Sequence, residues 1–455
     1  MRIVVLVVSI VSGIIVQSAL LPSSVASDAH PDTSPPLEMT QPDGATESAK
    51  APAEALRLDA VVAEALARNP ELKMVKERLA AATLRIPQAS ALPDPSVGYT
   101  IMGPNFVETR TGPQDQVYEA EQMVPFPGKL WEKRRMAVAE AKATEAQLKA
   151  VEREVILKAT DVYADLYAMD ESLRAVEEIK ELLSGFEAIA QARYASEGGS
   201  QGEVAKAQTE VSGTLQRLFV LRQQRQTAAA RLNALLDRSP HALVGQPMKP
   251  DMPTLSFTLE ELLDLAKHHR PELTEASAIV KRDTHANTLA KFEYVPDVSV
   301  GFQYIQVGGG MTSDPDDGKD VWMVPLKITI PLWQNRLLPA LREAKRNLRA
   351  SQAQLEQTQN LTEYEVKDAF YRFTTAKQIV ELHETALIPE ADLAFSSDRA
   401  SYEAGRIGAL NLIDSARVSL NTRVSYYEAV AGALKSFAAL ERVVGIDLTR
   451  QGGSP

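Results

Sequence analysis

The chain has 455 residues, a formal net charge of −11 and no cysteine. Because this length exceeds that of a usual single domain, we expect two domains or one duplicated architecture. The lack of cysteine excludes disulfides, thiolate metal sites, cysteine nucleophiles and a lipid-modified N-terminal cysteine. The acidic charge argues against nucleic acid as a partner. No interior run of about 18 apolar residues occurs, which excludes a helical membrane bundle.

The first residues have the layout of a secretory signal. Arg2 precedes an apolar stretch over residues 3–21, Pro22 ends that stretch, and residues 23–27 are small. We predict a signal peptide over residues 1–27, cleaved near Ala26. An uncleaved inner-membrane anchor is the alternative, and either one exports the rest of the chain. The next segment is rich in Pro, Ser, Thr, Asp, Glu and Gly, which predicts a flexible linker over residues 28–54.

The rest of the chain contains one pattern twice. Residues 69–72 read Asn-Pro-Glu-Leu and residues 270–273 read Arg-Pro-Glu-Leu, and each Pro suits the first position of a new helix. Thr258 and Glu261 form a capping-box pattern, which favours a helix start in the second copy. The predicted domains are a first structural repeat over residues 55–257, a second over residues 258–448 and a tail over residues 449–455.

Each copy continues with a predicted β-hairpin, at about residues 95–125 and 296–331. Apolar and polar residues alternate along these strands, although the return stretch over residues 116–124 alternates poorly. Each strand is close to the roughly 9–11 residues that cross a bilayer, and apolar-out, polar-in alternation suits a water-filled barrel. On the strand pattern alone, a half-buried strand of a soluble sheet remains the alternative.

Long helices follow each hairpin. Good helix formers dominate, and an apolar 4-3 spacing from Val155 to Val176 predicts a coiled-coil seam in a helix of roughly 100 Å. Glycines break each helix pair at a tip, and Pro389 predicts a kink or joint. The predicted helices are at about residues 129–197 and 203–237 in the first copy and at about 335–404 and 409–444 in the second.

Two hairpins provide four strands, and a bilayer does not tolerate the open edges of such a sheet. The strands must therefore close with strands from other copies of the chain. Barrels of eight strands have filled interiors, so a passage requires more strands. At least three subunits are implied if the strands lie in a membrane.

At this point the sequence resembles the TolC-type outer-membrane efflux family, over about residues 55–448. The resemblance rests on the two helix starts, on Pro-Asp-x-Ser-Val-Gly at residues 93–98 and 296–301, on Val-Pro-Phe-Pro-Gly-Lys at residues 124–129, and on the two tips. It implies a mainly α fold with a small membrane β-barrel contribution. The duplicated unit of helix, β-hairpin and long coiled-coil helix pair would assemble into a twelve-stranded trimeric barrel with an α-helical periplasmic tunnel.

The resemblance also implies a location, partners and a function. The location is the outer membrane of a Gram-negative-type bacterium, and the partners are two further copies of the chain, a periplasmic adaptor (membrane fusion protein) and an inner-membrane RND-type pump or ABC exporter. The function is passive exit of the substrates that the pump delivers, with metal cations as one candidate cargo. A type I secretion exit duct and a non-transporting coiled-coil scaffold of the envelope remain alternatives.

The tips carry the residues that match the periplasmic gate of this family. Asp414 fits the second of two acidic gate positions three residues apart, whereas Asn411 occupies the first, so one gate carboxylate is missing. Glu203 matches an acidic position that pairs with the tyrosine matching Tyr402, and we predict a hydrogen bond between their side chains. Solvated loop ends are the alternative for these polar residues. The predicted adaptor-contact residues are Gly198, Gly199, Gly202, Gly405, Arg406 and Gly408.

No catalytic constellation occurs in the sequence, so we expect neither an enzyme nor a cofactor. The pair His268 and His269 ends a short helix, where neighbouring side chains point to different faces and favour a helix-capping role over a metal site. Acidic residues in the second hairpin loop, among them Asp314 and Asp320, do not have the spacing of an EF-hand.

Overall fold

The computed structural model describes residues 55–102, 108–109, 112–196, 199–309, 313 and 315–451. The predicted signal peptide and linker, two residues of the first tip (Glu197 and Gly198), Asp314 and the last four residues lie outside this description. The elements, in chain order, are α1 (Leu58–Arg68), α2 (Pro70–Ser90), β1 (Ser96–Ile101), β2 (Glu108–Thr109), β3 (Gly112–Val124), α3 (Pro127–Ala195), α4 (Gln201–Leu235), α5 (Leu259–His269), α6 (Pro271–Phe292), β4 (Asp297–Val307), β5 (Val321–Met323), β6 (Leu326–Thr329), α7 (Gln334–Leu382), a π-helical segment (His383–Leu387), α8 (Ile388–Glu403), α9 (Ala409–Val444) and α10 (Leu448–Gln451).

The paired helix starts of the two copies are stabilised in different ways. Asn69 caps α2, because its side chain accepts hydrogen bonds from the backbone N–H groups of Glu71 and Leu72, while its amide nitrogen donates to the carbonyl of Leu235. Arg270 holds the matching position before α6 and makes no side-chain cap. It is buried and pairs with Glu272 and Glu365 instead. The predicted capping box of Thr258 and Glu261 is confirmed at the start of α5.

The strands of both hairpins form one antiparallel sheet in the order β1-β3-β4-β5, in which β6 also pairs with β4. The return strand of the second hairpin is interrupted at Val324 and Pro325, since proline has no N–H for the ladder. Its register is unchanged across this gap, because Trp322 lies opposite Tyr304 and Leu326 lies opposite Val300.

A β-bulge lies near the loop end of the first return strand, just before the stretch that alternates poorly. Gln114 lies opposite Val307 and Gln116 lies opposite Gln306, so Asp115 is one residue too many for the register. An inserted residue shifts the period-two pattern by one position and bends the strand. Beyond the bulge the register is regular to the end of β3. The poor alternation over residues 116–124 comes from the side chains themselves, because Gln116 and Gln122 lie on the face of Tyr118 and Met123 lies on the face of Glu119.

The two faces of the sheet differ in chemistry. On one face, which we call the apolar face, Val97, Phe302 and Trp322 are 72%, 51% and 67% exposed. On the opposite face, which we call the polar face, Lys327 forms ion pairs with Glu119 and Glu121. A large exposed apolar surface costs free energy in water, so this face requires a nonaqueous or protein partner.

A buried ion pair joins the sheet to the helices. Asp297 at the start of β4 accepts a hydrogen bond from the backbone N–H of Phe126 at 2.8 Å and pairs with the ammonium group of Lys129 at 2.8 Å. Both side chains of this pair are largely buried. The turn before α3, one of the motifs that carry the family resemblance, therefore fixes the angle at which the hairpins meet the helix bundle.

The helix α3 is the centre of the bundle and packs against α2, α4, α6 and α9. Its predicted seam residues Val155, Ala159 and Leu166 are fully buried. A second strip that includes Tyr163 and Tyr167 is buried as well. Within the part of the chain that the structure describes, no helix is both long and apolar enough to cross a bilayer.

The single helix predicted over residues 335–404 is wrong in one respect. The α-helical ladder stops at Leu382, a π-helical segment covers His383–Leu387, and α8 begins at Ile388 with Pro389 in its first turn. Proline has no N–H to donate to the preceding turn. A π-helical turn just before it changes the spacing of the backbone hydrogen bonds at this point. The joint predicted at Pro389 therefore extends over the five residues His383–Leu387.

Candidate functional site at the helix-turn-helix tips

Two glycine-containing turns reverse the long helix pairs: tip 1 (residues 196–200) between α3 and α4, and tip 2 (residues 404–408) between α8 and α9. In tip 2, Gly405 has a φ of +69°. The backbone N–H of Arg406 donates to the carbonyl of Ser401, and that of Gly405 donates to the carbonyl of Tyr402. This pattern closes the end of α8 and favours glycine at the left-handed position. Gly408 then begins α9.

Tyr402 connects tip 2 to α3. Its ring is 8% exposed and lies edge-on to Phe186 of α3, with 5.9 Å between the ring centroids. The guanidinium group of Arg193 lies 5.8 Å from the centroid of the same ring. Leu412 of α9, which is fully buried, packs in this cluster. The ring, rather than the hydroxyl group, therefore attaches the second tip to the first helix pair.

Glu203 occupies the first turn of α4 and is half-buried. Its backbone N–H donates to the hydroxyl oxygen of Ser200, which caps the helix. Among the described residues of the single chain, the Tyr402 hydroxyl and the Glu203 carboxylate form no hydrogen bond. The structure thus attaches the end of α8 at tip 2 to α3, but not through the bond that we predicted from the sequence.

Asp414 and Asn411 lie three residues apart on the exposed face of α9. Between them, Ile413 is buried against Leu183 of α3 and Ala207 of α4, so the exposed face is fixed in orientation. Asp414 forms an ion pair with Arg417 at 2.5 Å, one turn further along the same face. The carboxylate of Asp414, which matches the second acidic gate position, therefore has the guanidinium group of Arg417 directly beside it.

The predicted adaptor-contact residues are at the surface wherever they are described. Gly202, Gly405, Arg406 and Gly408 are exposed and Gly199 is half-buried, whereas Gly198 lies outside the described residues. An ideal Cβ on Gly405 or Gly408 would meet no atom within 4 Å. Tip 2 therefore exposes its backbone at Gly405 and Gly408, together with the charged side chain of Arg406.

Sequence reasoning missed a polar cluster behind tip 2. Asp392 of α8 accepts a hydrogen bond from the hydroxyl of Ser419 at 2.9 Å and pairs with Arg423 at 3.2 Å, both on α9. Arg423 also lies 3.8 Å from Glu178 of α3. These residues are far apart in the sequence and have no shared motif. The cluster holds the second helix pair together and ties it to α3.

A second cluster surrounds the π-helical segment. The hydroxyl of Tyr426 donates to the Glu384 carboxylate at 2.7 Å. Burial, together with this hydrogen bond, raises the pKa of Tyr426. His383 is 8% exposed, and its Nδ1 has no hydrogen-bond partner. Among the described residues, no group of three or more histidine and acidic side chains converges as a metal site.

The architecture matches a known family. The family profile described as outer membrane efflux protein matches residues 61–238 and 262–446, most of both repeats. The chain belongs to the outer membrane efflux protein family. Membership confirms the resemblance, the outer-membrane location and the efflux function that we predicted from the two helix starts, the strand entries and the tips.

Individual members of the family are distant in sequence. The cobalt-zinc-cadmium resistance protein CzcC of Cupriavidus metallidurans is 21% identical over 398 residues, which cover 86% of this chain and 90% of CzcC. The outer membrane protein VceC of Vibrio cholerae has a TM-score of 0.72 at 19% identity, with 86% of this chain and 96% of VceC covered. The open state of the MtrE outer membrane channel of Neisseria gonorrhoeae has a TM-score of 0.69 at 17% identity, with coverages of 87% and 90%.

These likenesses confirm the fold class. The efflux-family fold is mainly α-helical, with a duplicated unit of helix, hairpin and long helix pair, as the sequence predicted. At these levels of identity the solved structures establish the arrangement of the backbone only. The roles of individual tip residues therefore depend on their contacts in this chain.

Proposed function

We propose that the chain is one of three identical subunits of an outer-membrane exit duct. In this duct the hairpins of the three subunits form a closed barrel in the membrane, and the long helices form a tunnel that extends into the periplasm. The tips are the periplasmic entrance. Substrates enter there from an inner-membrane pump and leave passively through the barrel.

The free edges of the sheet are the observation that carries this proposal. Within the described residues, β1 pairs with β3 alone, and β5 and β6 pair with β4 alone. The backbone groups on the outer edges of β1 and β6 therefore need partners from another molecule. Water is absent from the hydrocarbon core, so only a closed ring of strands satisfies them there. Three copies would supply twelve strand positions.

The two faces of the sheet support a barrel of this kind. The exposed side chains of the apolar face suit lipid, and the ion-paired Glu119, Glu121 and Lys327 of the polar face suit an aqueous lumen. Both hairpins return the chain to the end where α3 and α7 begin. The helices of both repeats therefore leave the barrel on the same side.

We assign the tips as the docking surface for a periplasmic adaptor, and an RND-type pump as the source of the cargo. The exposed glycines and the exposed Arg406 of tip 2 support the first assignment. The relation to CzcC over nearly the whole chain supports the second, and it favours divalent metal cations as cargo. A type I secretion duct is the alternative within the same fold, since the pump and adaptor decide the cargo.

The gate in this proposal consists of Tyr402, Glu203, Asp414 and Asn411. Tyr402 keeps the second tip on α3, which corresponds to the closed entrance, and Glu203 begins the helix against which this tip rests. Across three copies, Asp414 and Asn411 would line the entrance as rings. A ring of carboxylates attracts cations, but each Asp414 is partly neutralised by Arg417.

The test is purification of the full chain from outer-membrane fractions. We expect heat-modifiable trimers on gels and discrete single-channel currents in planar bilayers. Monomers without channel activity would contradict the proposal and favour an envelope scaffold. In the native host, deletion of the gene should lower tolerance to cobalt, zinc or cadmium. Loss of drug tolerance or of protein secretion, with metal tolerance intact, would reassign the cargo.

A further inference from the structure

The polar face of the sheet changes character towards the loop ends of the hairpins, the ends furthest from the helices. The register places Gly98, Glu119, Gln303 and Met323 in one row across the sheet. The next row towards the loops contains Thr100, Val117, Ile305 and Val321. Val307 and Met102 follow beyond it. A row with charged and amide groups is thus succeeded by a zone in which aliphatic side chains predominate, with Thr100 and Gln114 as polar members.

Most of these aliphatic side chains are packed, whereas Val321 is 41% exposed. Val117, Ile305 and Val307 are 5%, 6% and 7% exposed and form one cluster, against which Met102 packs. Glu119 and Gln303, in the preceding row on the same face, are half-buried. A lumen-facing strand position in an open barrel is hydrated, so the low exposure shows that Val117, Ile305 and Val307 shield one another at this level of the sheet.

The backbone beside the zone bends and is cross-linked. The bulge at Asp115 bends β3 between Val117 and the loop, as bulges at barrel rims do. The backbone N–H of Gly308 donates to the carbonyl of Pro113 at 2.9 Å, and so joins the two hairpins beyond the bulge. The bend and this bond lie at the same level as the aliphatic cluster.

The apolar face shows where this zone lies relative to the membrane. Four aromatic residues lie opposite one another across four strands: Tyr99, Tyr118, Tyr304 and Trp322. The ring centroids of Tyr99 and Tyr118 are 5.1 Å apart, and those of Tyr118 and Tyr304 are 6.3 Å apart. Rows of tyrosine and tryptophan of this kind favour the membrane–water interface. The aliphatic zone therefore lies at the level of the outer interface, on the inner side of the same strands.

We propose that Met102, Val117, Ile305, Val307 and Val321 form an apolar collar that narrows the exit of the duct. The inference rests on the barrel of the proposed function and adds a second permeability barrier, at the end opposite to the tips. An apolar constriction slows hydrated ions without sealing the duct, so the cation cargo of the proposed function would pass it more slowly than a polar exit. The collar selects at the exit, whatever pump supplies the cargo.

Thiol labelling in intact cells tests the collar, because the chain has no native cysteine. Gln303→Cys places one thiol in the row below the collar, and a charged maleimide dye too large for porins is added outside. We expect labelling to become about tenfold faster when Ile305→Ser is added, because a polar side chain removes the apolar barrier. Phe302→Ser, on the adjacent residue of the apolar face, is the matched control and should leave the rate unchanged.

Equal labelling rates with and without Ile305→Ser would overturn the collar. Val117→Thr, which keeps the shape of the side chain, carries the same test if Ile305→Ser prevents trimer assembly. A separate thiol at Val300→Cys, on the apolar face, should stay unlabelled. If it reacts as fast as Gln303→Cys, the sheet does not face lipid and the proposed function fails, independently of what happens at the collar.

Discussion

The clearest prediction concerns the group on Tyr402 that holds tip 2. We expect Tyr402→Ala to release the tip, whereas Tyr402→Phe leaves it in place, because the described contacts of this residue are made by its ring. The edge contact with Phe186 is worth about 0.5–1.5 kcal/mol. The cation–π contact with Arg193 is worth about 0.5–1 kcal/mol. Burial of the ring adds about 1.5–3 kcal/mol.

Partial collapse of the neighbouring side chains would recover some of this free energy, so we expect Tyr402→Ala to cost about 3 kcal/mol of local stability. A loss of this size changes the ratio of attached to detached tips by roughly a hundredfold. Single-channel recordings in planar bilayers should then show long-lived high-conductance states. Hydrogen exchange should accelerate over residues 400–412.

Two controls make this prediction decisive. Tyr194→Ala removes a tyrosine from the end of α3 that is 50% exposed, and it should change neither conductance nor exchange. Tyr402→Phe keeps the ring and removes only the hydroxyl. If Tyr402→Phe raises conductance as much as Tyr402→Ala does, the hydroxyl holds the tip through Glu203, as the sequence predicted, and the reasoning from the ring is refuted.

Three further predictions concern charge, protonation and capping. Arg417→Gln should remove the cation beside Asp414 and raise the cation-to-anion permeability ratio about two- to fivefold in reversal-potential measurements. Arg399→Gln on α8, which removes a cation paired with Glu403 instead, should leave this ratio unchanged. Burial raises the pKa of Glu441 from 4.5 to about 7, so the folded state binds this proton more tightly than the unfolded state and stability falls as pH rises from about 5 to 7. Glu441→Gln should remove this fall, which is on the order of 2 kcal/mol in the free energy of unfolding. Thermal unfolding measured across that pH range checks this, and a wild-type protein whose stability does not fall would contradict it. Asn69→Ala should cost about 1–2 kcal/mol in thermal unfolding through loss of the cap of α2, and an unchanged melting temperature would show that the cap is dispensable.

The duplication can be predicted from the sequence because its signals are local. Helix caps, proline at a helix start and period-two alternation depend on neighbours within a few residues, and these patterns alone identify both repeats. The pairing of Asp414 with Arg417 is predictable in the same way, since residues three apart on a helix lie on the same face. Matching only the gate carboxylates to the family pattern does not reveal this ion pair.

The features that the sequence did not reveal depend on distant partners or on a single inserted residue. Phe186 and Tyr402 are separated by most of the second repeat, and no motif connects Asp392 with Arg423. The bulge at Asp115 is a single inserted residue, and no local pattern in the sequence marks it. The aliphatic row that contains Val117 can be recognised only once the pairing of the strands is known.

The two repeats differ most in their outgoing helices, and this difference bears on the gate. In the first repeat α3 runs without interruption over Pro127–Ala195, whereas in the second repeat the π-helical segment His383–Leu387 separates α7 from α8. A helix bends most easily where its hydrogen-bond ladder is broken. Tip 2 is therefore carried by a short helix beyond a joint, and Tyr402 and Asp392 hold that helix against α3 and α9. Since α3 has no such joint, we expect the second repeat to bend more easily than the first when the proposed entrance opens.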